Sequence, residues 1–406
     1  MLFIFITVLL DIIGIGIVIP ITPQLVSQFV GGDLSDASRY YGPAIALYTA
    51  MQFLCAPTLG ALSDRFGRKP ILLLSLVGTS LAYLMTAFAP NLAWLYAARM
   101  LGGVAGASMT VASAYIADVS APERRAQNFG MLGAAFGIGF IIGPALGGAL
   151  GHFSLHLPFF VSAAVSLINF VYGLVALPES HRLENRRAFT WAKANPLSFV
   201  PLLRKYPQIM GMATSLLLVG LAQQCQQSNW VLFTSLRFKW SPAESGVSLA
   251  LAGLCMVLVQ GGLIRLVLPK LGERRAILYG LVLFGGSMVL FGLASKGWMM
   301  YAVTVVSSLS AIAGPATQGL ISRQIGPDEQ GAVQGALTSL TSLTGIVGPV
   351  VANQLFATFT AASAPVKIPG IAFFLGALLI GLAFLNMLRV FAKHPVPATA
   401  AQPAQV

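Results

Sequence analysis

The chain has 406 residues, of which 56% are hydrophobic and only 9% are charged. A soluble domain carries roughly 25% charged residues, so this composition excludes a protein whose whole surface faces water. The net charge of +12 does not indicate nucleic-acid binding, because the basic residues lie in short loops and not on one continuous face.

Apolar runs of about 20 residues, the length that crosses a bilayer core as a helix, recur along nearly the whole chain. Lipid offers no hydrogen bonds to a bare backbone, so spans must be helices or strands of a closed barrel. The runs are too long and too uniformly apolar for barrel strands, which alternate over about ten residues. The sequence therefore predicts an all-α membrane protein with twelve transmembrane helices, near residues 2–29, 40–62, 70–89, 92–117, 125–151, 157–177, 208–236, 242–268, 276–294, 298–323, 330–357 and 368–392.

The connection between the sixth and seventh predicted spans, residues 179–207, is polar, basic and interrupted by prolines. Such a composition is typical of a linker. We therefore expect an N-terminal bundle of six helices over residues 1–178, a cytoplasmic linker, a second bundle over residues 208–392 and a tail over residues 393–406.

The two predicted bundles are related by one constant shift of 205 residues, which needs no gap. Paired six-helix repeats with a binding site between them are typical of transporters that rock between two states. The shift aligns Gly67 with Gly272, Tyr96 with Tyr301, Pro122 with Pro327, Gly130 with Gly335, and Gly143 and Pro144 with Gly348 and Pro349.

Lysine and arginine are unequally distributed between the two sets of connections. Of the 24 in the chain, 18 lie in or beside the even-numbered connections or at the C-terminal end, and Arg99 lies within a span. Because basic loops stay in the cytoplasm, we expect both termini and the linker there. The other five are Arg39, Arg237, Lys239, Lys296 and Lys367.

The first predicted span, "TVLLDIIGIGIVIP" at residues 7–20, contains a carboxylate, Asp11. At about 1.5 Å per residue, Asp11 lies about 14 Å into a core about 30 Å thick, where an acid costs on the order of 3 kcal/mol. Arg99 enters the fourth span from the other face to a depth of about 10 Å at the same rise. The two residues could form a fixed structural ion pair, or Asp11 could change its protonation with the side that is open.

The connection after the second span, "GALSDRFGRKP" at residues 60–70, carries an acid among basic residues. A cytoplasmic anchor would account for Arg65, Arg68 and Lys69. It does not account for Asp64, nor for Gly60 and Gly67, which permit close backbone approach.

The fifth span contains "GIGFIIGPALGG", residues 137–148. Small residues four apart let two helices touch backbone to backbone, and a proline removes a helix hydrogen bond and bends the span. The residues by themselves indicate a packing role. They are Gly139, Gly143, Pro144, Gly147 and Gly148.

The seventh span carries "LAQQCQQSNW", residues 221–230, in which Gln223, Gln227 and Trp230 share one helix face. Amides within a span need partners, which a hydrated cavity, a ligand or a neighbouring helix can supply; these interpretations stay open. Gln52 and Gln318 are weaker candidates of the same kind. Further on, "SPAE" at residues 241–244 predicts a capping box that opens the eighth span.

Long stretches, together with the loop at residues 60–70, resemble the major facilitator superfamily, and within it the tetracycline-efflux group of drug:proton antiporters. They are "LLDIIGIGIVIPITPQL", "RFKWSPAESGVSLALAG", "LGERRAILYG" and "GLISRQIGPDEQGAVQGALTSLTSLTGIVGP". By this resemblance Asp64 and Arg68 form a charge relay with Asp118, the acid of "YIAD" that ends the fourth span. The relay locks the halves on the cytoplasmic side, with Asp64 near the N-terminus of the eleventh span, where the helix dipole favours an acid.

The resemblance assigns roles to two further motifs. The glycines and the proline of the fifth span match the antiporter motif, which marks exporters. The stretch "RMLGGVAGA" around Arg99 is similar to the fourth-span motif implicated in proton transfer.

The sequence also departs from the group. "LPKLGERRA" at residues 268–276 has Pro269 where the shift predicts an acid, so we expect an asymmetric gate that rests on the N-terminal half. Tetracycline pumps of the group carry acids in the third and ninth spans, where this chain has Ala82 before Tyr83 and Phe284. Those acids suit a cationic metal–tetracycline chelate, so the cargo here is a neutral, zwitterionic or less polar molecule, or the coupling differs.

The resulting prediction is a multi-pass transporter of the bacterial inner membrane that exports a drug-like small molecule in exchange for protons by alternating access. Its partners are the substrate, protons and the bilayer, with no nucleic acid, obligate protein partner, cofactor or metal. A carrier for an endogenous metabolite and a non-transporting receptor or lipid-handling protein remain alternatives. The four histidines have no triad or metal-ligand spacing and no GxxxxGK[ST] loop is present, so we expect neither an enzyme nor an ATP-driven pump.

Overall fold

A computed structural model of the chain describes residues 2–106, 108–121, 124–181, 184, 186, 207–325 and 330–393, and these are helical with no strand. Among these described residues, ten helices are long and apolar enough to cross a bilayer, or eleven if the bent pair at the start is one span. The remaining predicted span, the seventh, is the 32-residue helix Pro207–Phe238, which its glutamine cluster makes less apolar. The architecture agrees with the predicted all-α membrane fold.

The first six spans contain Leu2–Val18 with Thr22–Phe29, Leu34–Phe66, Arg68–Ala87, Leu92–Ala105 with Ser108–Val119, Arg125–Phe153, and Leu157–Ala176. The seventh is Pro207–Phe238, and the eighth joins Pro242–Leu258, the π-helical turn Val259–Leu263 and Ile264–Leu271. The last four contain Glu273–Leu293, then Gly297–Ser308 with the 3-10 turn Leu309–Ile312 and Ala313–Ser322, then Gln330–Thr360, and Ile371–Lys393. Most of the predicted linker and the tail beyond residue 393 lie outside the described residues.

The first span, predicted as one helix near residues 2–29, consists of two helices, Leu2–Val18 and Thr22–Phe29, with a bend of 42° between them. Pro20 lies at the bend. Proline lacks the backbone N–H and clashes with the carbonyl one turn earlier, so the helix cannot continue through it. The Thr22 hydroxyl donates to the Val18 carbonyl over 2.7 Å and satisfies an acceptor that the bend releases.

The second span is longer than predicted and runs from Leu34 to Phe66. Its polar first turn forms because the Asp33 carboxylate accepts from the Ser35 backbone N–H over 2.8 Å, an N-terminal cap. It ends at Gly67, whose φ of +105° and ψ of 157° lie in a region that only glycine adopts readily. The predicted capping box of the eighth span is confirmed, with Ser241 and Glu244 bonded reciprocally.

The two ends of the molecule differ in how the halves meet. We call the end that holds the even-numbered connections the basic end, and the other the opposite end. Toward the opposite end the second span packs on the eleventh, where the Ser35 hydroxyl donates to the Ala357 carbonyl over 3.1 Å and the Ser38 hydroxyl to the Asn353 carbonyl over 3.2 Å.

Toward the basic end no hydrogen bond joins the two halves among the described residues, whereas those that join them all lie at the opposite end. A methyl group added at any of five glycines there would meet no described atom within 4 Å outside its own helix. Because the hydrogen bonds between the halves lie at the opposite end, we infer a cleft between the halves that opens at the basic end. These glycines are Gly130, Gly133, Gly261, Gly262 and Gly335.

Candidate functional site

Asp11 lies within the first span with 9% of its surface exposed. Its carboxylate accepts a hydrogen bond from the Ser108 hydroxyl of the fourth span over 2.8 Å. Every other acid in the described chain lies near a helix end or in a connection. Asp11 is thus a buried carboxylate with one hydroxyl donor at membrane depth, where a fixed charge is costly.

Arg99 does not pair directly with Asp11, because no ion pair within 4.0 Å joins them in the described structure. The guanidinium instead donates to the Thr86 hydroxyl over 3.2 Å, while its Nε is buried with no partner among the described residues. Tyr48 and Tyr83 lie within electrostatic range of both charges. Asp11 is thus a buried acid and Arg99 a partly buried base, and the acid is not neutralised by direct contact with it.

The loop after the second span brings the expected charges together. The Arg68 guanidinium contacts Asp64 at 2.6 Å and Asp118 at 2.9 Å, and it donates to the Ser63 hydroxyl over 2.6 Å. The Arg68 side chain is 8% exposed, so this cluster is shielded from water on one side. The neighbouring Arg65 lies over the Phe66 ring, 5.0 Å from its centroid.

Two further expectations for this loop concern the close packing of Gly60 and the position of Asp64 relative to the eleventh span. A Cβ added at Gly60 would lie 3.8 Å from the Thr110 side chain, which is an ordinary van der Waals distance. The predicted approach of Asp64 to the start of the eleventh span falls outside the described residues, because residues 326–329 precede that helix.

Sequence reasoning missed Glu179, which follows the sixth span. Its carboxylate accepts from the backbone N–H groups of Arg68 over 2.9 Å and Lys69 over 3.2 Å, at the start of the third span. It also accepts from the His181 backbone N–H over 2.9 Å. An acid at a helix N-terminus satisfies free N–H groups and complements the helix dipole, so Glu179 joins the segment after the sixth span to the end of the loop at residues 60–70.

The glycine motif of the fifth span packs against both halves at once. A Cβ added at Gly143 would lie 2.7 Å from Gly16 of the first span, and one at Gly147 would collide with the Ile17 carbonyl. On another face, a Cβ at Gly148 would lie 2.6 Å from the Pro242 carbonyl of the eighth span. A Cβ added at Gly139 would likewise clash with the Ile12 side chain. Across the halves, a Cβ added at Gly246 would clash with the Pro144 carbonyl. The motif therefore sets the close approach of the first, fifth and eighth spans.

A cavity of about 670 Å³ lies in the second half, with Phe140 contributed by the fifth span. Pockets for drug-sized ligands measure about 300–1,000 Å³. Gln223, Gln227 and Trp230 all line this cavity, as do three residues that the sequence did not single out: Gln224, Gln260 and Thr344. The Trp230 indole donates to the Ser248 hydroxyl over 2.9 Å, which fixes the ring at the wall.

The two weaker glutamine candidates lie elsewhere. The Gln52 amide donates to the Gly106 carbonyl over 2.8 Å, which joins the second span to the fourth. Gln318 is exposed and is not among the described lining residues of the cavity. The cavity glutamines differ from Gln52, because the amides of Gln223 and Gln227 have no hydrogen-bond partner among the described residues.

Comparisons with known proteins match this architecture. The family model described as the Major Facilitator Superfamily matches residues 4–349 and again residues 238–405. The chain belongs to this superfamily. It is a multi-pass membrane transporter.

Among its relatives in the superfamily, the tetracycline resistance protein of class C from Escherichia coli is 40% identical over 351 residues, which cover 86% of this chain and 88% of that protein. The class B protein from Escherichia coli is 36% identical over 93% of this chain and 94% of its own length. Among solved structures, the nucleoside transporter NupG shares the fold with a TM-score of 0.77 at 14% identity, over 96% of this chain and 98% of that one.

Proposed function

We propose that this transporter exports a drug-like small molecule from the cytoplasm in exchange for protons, and that it resides in the bacterial inner membrane with both termini in the cytoplasm. The names of its relatives, which are tetracycline resistance proteins, support the export of a drug. The excess of lysine and arginine at the basic end supports the orientation. In that orientation the cleft is open toward the cytoplasm.

Asp11 carries the proton-coupling part of the proposal. A carboxylate that is buried, accepts from Ser108 and lacks direct contact with Arg99 is stabilised when protonated and can release its proton when water reaches it. Arg99, held at Thr86, favours the charged form from a distance. Alternating access would then expose Asp11 to the two sides in turn.

The cluster of Arg68, Asp64 and Asp118 serves as the cytoplasmic gate in this proposal. In the open cleft its contacts among the described residues all lie within the N-terminal half. Closure of the basic end would bring the eleventh span toward Asp64. The glycine motif of the fifth span would act as the pivot, because it holds the halves in contact where they do not separate.

The cavity of the second half is the proposed substrate site, with Gln223, Gln227 and Trp230 as its contacts. Gln52 serves a packing role in this structure, and Gln318 would reach the substrate only in another state. In this proposal the two halves move relative to each other during transport, while the wall of the cavity keeps its shape.

The test is drug susceptibility of an efflux-deficient bacterial host that expresses the full chain, measured against a panel that includes tetracycline and chloramphenicol. We expect the wild type to protect, and Asp11→Asn to lose at least 90% of that protection at equal membrane abundance. Asp36→Asn, the same change at an exposed acid of the opposite end, is the matched control and should protect fully. Equal protection by both variants would show that Asp11 is structural.

Uptake and export are separated by inverted membrane vesicles. An exporter accumulates the compound inside inverted vesicles when their interior is made acidic, whereas a proton-linked uptake carrier depletes it. Accumulation that does not respond to the pH gradient would contradict proton coupling.

A further inference from the structure

The lining of the cavity in the second half has no ionisable side chain among its described residues. It combines apolar side chains with amides and hydroxyls. The polar members include five glutamines, at positions 223, 224, 226, 227 and 260, and the hydroxyls of Thr304, Thr341 and Thr344.

The glutamines are free to bind a ligand. The side-chain amides of Gln223, Gln227 and Gln260 have no hydrogen-bond partner among the described residues, and all three side chains are exposed to the cavity. Each amide offers two N–H donors and one carbonyl acceptor. Such groups pair with uncharged hydroxyl, carbonyl and amide groups of a ligand.

A charged ligand would fit this lining poorly. Burial of an ion without a counter-charge is strongly unfavourable in a low-dielectric site, and a metal chelate would need acidic or imidazole groups nearby. No group of three or more His, Cys, Asp or Glu side chains suited to a metal exists within the part of the chain that the structure describes.

Asp11 is the single acid within the described spans away from their ends, and it lies outside the described lining of the cavity. Each cycle that protonates and deprotonates it therefore carries one proton. If the cargo brings no charge, the exchange of one proton inward for one molecule outward moves one net positive charge into the cell.

We propose that the cargo is a metal-free molecule without net charge that carries hydrogen-bonding groups, and that the unpaired amides of the seventh and eighth spans recognise it. We further propose that its exchange for a proton is driven by the membrane potential as well as by the pH gradient. This inference rests on the proposed proton-coupled export. For one elementary charge, a potential of about 100 mV shifts the equilibrium cargo ratio by about 50-fold. An exchange of a monovalent cation for a proton would show no such shift.

The experiment uses the full chain in liposomes that are loaded with a probe and with a pH-sensitive dye. The probes are chloramphenicol, which has no net charge, tetracycline with EDTA, which is a metal-free zwitterion, and tetracycline with Mg²⁺, which is a cationic chelate. Valinomycin and potassium set the potential. Liposomes with Asp11→Asn give the passive background.

We expect Asp11-dependent acidification with the first two probes, increasing when the interior is negative, and at least tenfold less with the Mg²⁺ chelate. Gln227→Glu adds a carboxylate to the lining and should shift preference toward the chelate by about tenfold for one new ion pair at roughly 1.4 kcal/mol. Gln28→Glu, the same change at an exposed residue of the opposite end, should not.

Acidification that is independent of the potential, or that prefers the Mg²⁺ chelate in the wild type, would overturn this inference and leave proton-coupled export standing. Absence of any Asp11-dependent proton flux with all three probes would overturn both.

Discussion

The connections after the second and eighth spans have the same backbone turn but opposite charges. Gly67 and Gly272 share a ψ of 157° with φ of +105° and +73°. Under the shift of 205 residues, Arg68 corresponds to Glu273 and Asp118 to Arg323. The ion pair Arg68–Asp118, at 2.9 Å, therefore recurs as Glu273–Arg323, at 3.2 Å, with its polarity reversed.

The two pairs also differ in burial. The Arg68 side chain is 8% exposed and has a second acid, whereas Arg323 is 77% exposed. Exposed ion pairs contribute about 0–1 kcal/mol, whereas loss of one partner from a buried pair costs about 3–5 kcal/mol. The repeat has kept the position of the pair, while the arginine is buried only in the N-terminal copy.

The largest expected effect is from reversing the polarity of each pair. In the N-terminal half, Arg68→Asp with Asp118→Arg would place the new acid beside Asp64, so we expect loss of drug resistance. In the C-terminal half, Glu273→Arg with Arg323→Glu should keep at least half of it, since water screens that pair. Susceptibility at matched membrane abundance measures both, and similar resistance in the two double variants would show that burial does not distinguish the loops.

Truncation of the two arginines gives the next largest difference. Arg68→Ala leaves two partly exposed acids without their partner and should lower the free energy of unfolding by about 1–3 kcal/mol. Arg323→Ala should lower it by less than about 1 kcal/mol. Denaturant unfolding of the detergent-purified chain measures both values; a loss at Arg323 as large as that at Arg68 would contradict the comparison.

Substitution of Gly67 and of Gly272 by alanine should give a smaller difference in the free energy of unfolding. An alanine at either position must adopt a backbone conformation that costs about 1–3 kcal/mol. A Cβ at Gly67 would in addition collide with the Glu179 carboxylate, whereas one at Gly272 would meet no described atom within 4 Å. We therefore expect Gly67→Ala to be more destabilising than Gly272→Ala, and the reverse order in the same unfolding assay would indicate that Glu179 moves freely.

The smallest difference is expected between two acids. Glu179→Gln removes the charge that faces three backbone N–H groups and should cost about 1–2 kcal/mol. Glu273→Gln should cost less than about 1 kcal/mol because its partner is exposed. Hydrogen exchange at the first turn of the third span should increase only for Glu179→Gln, and unchanged exchange there would show that Glu179 does not stabilise that turn.

Much of the fold follows from patterns along the chain. The length and polarity of the apolar runs locate the spans, because lipid tolerates only backbones that bond internally. The constant shift reveals the repeat, and the loop at residues 60–70 locates the cluster around Arg68. The ends of helices were less predictable, since Asp33 extends the second span through polar residues and Pro20 bends the first.

The sequence by itself determined which elements exist and which residues carry charge at membrane depth, because hydropathy and helical rise act locally. Only the tertiary structure decided the partners: Asp11 bonds Ser108 and not Arg99, Glu179 caps a helix 111 residues earlier in the chain, and Gln223 has no partner among the described residues while Gln52 is bonded. Depth in the bilayer can be counted along one helix, but contact depends on how helices are rotated and packed against one another. That packing is set by all the spans together, so no single motif encodes it.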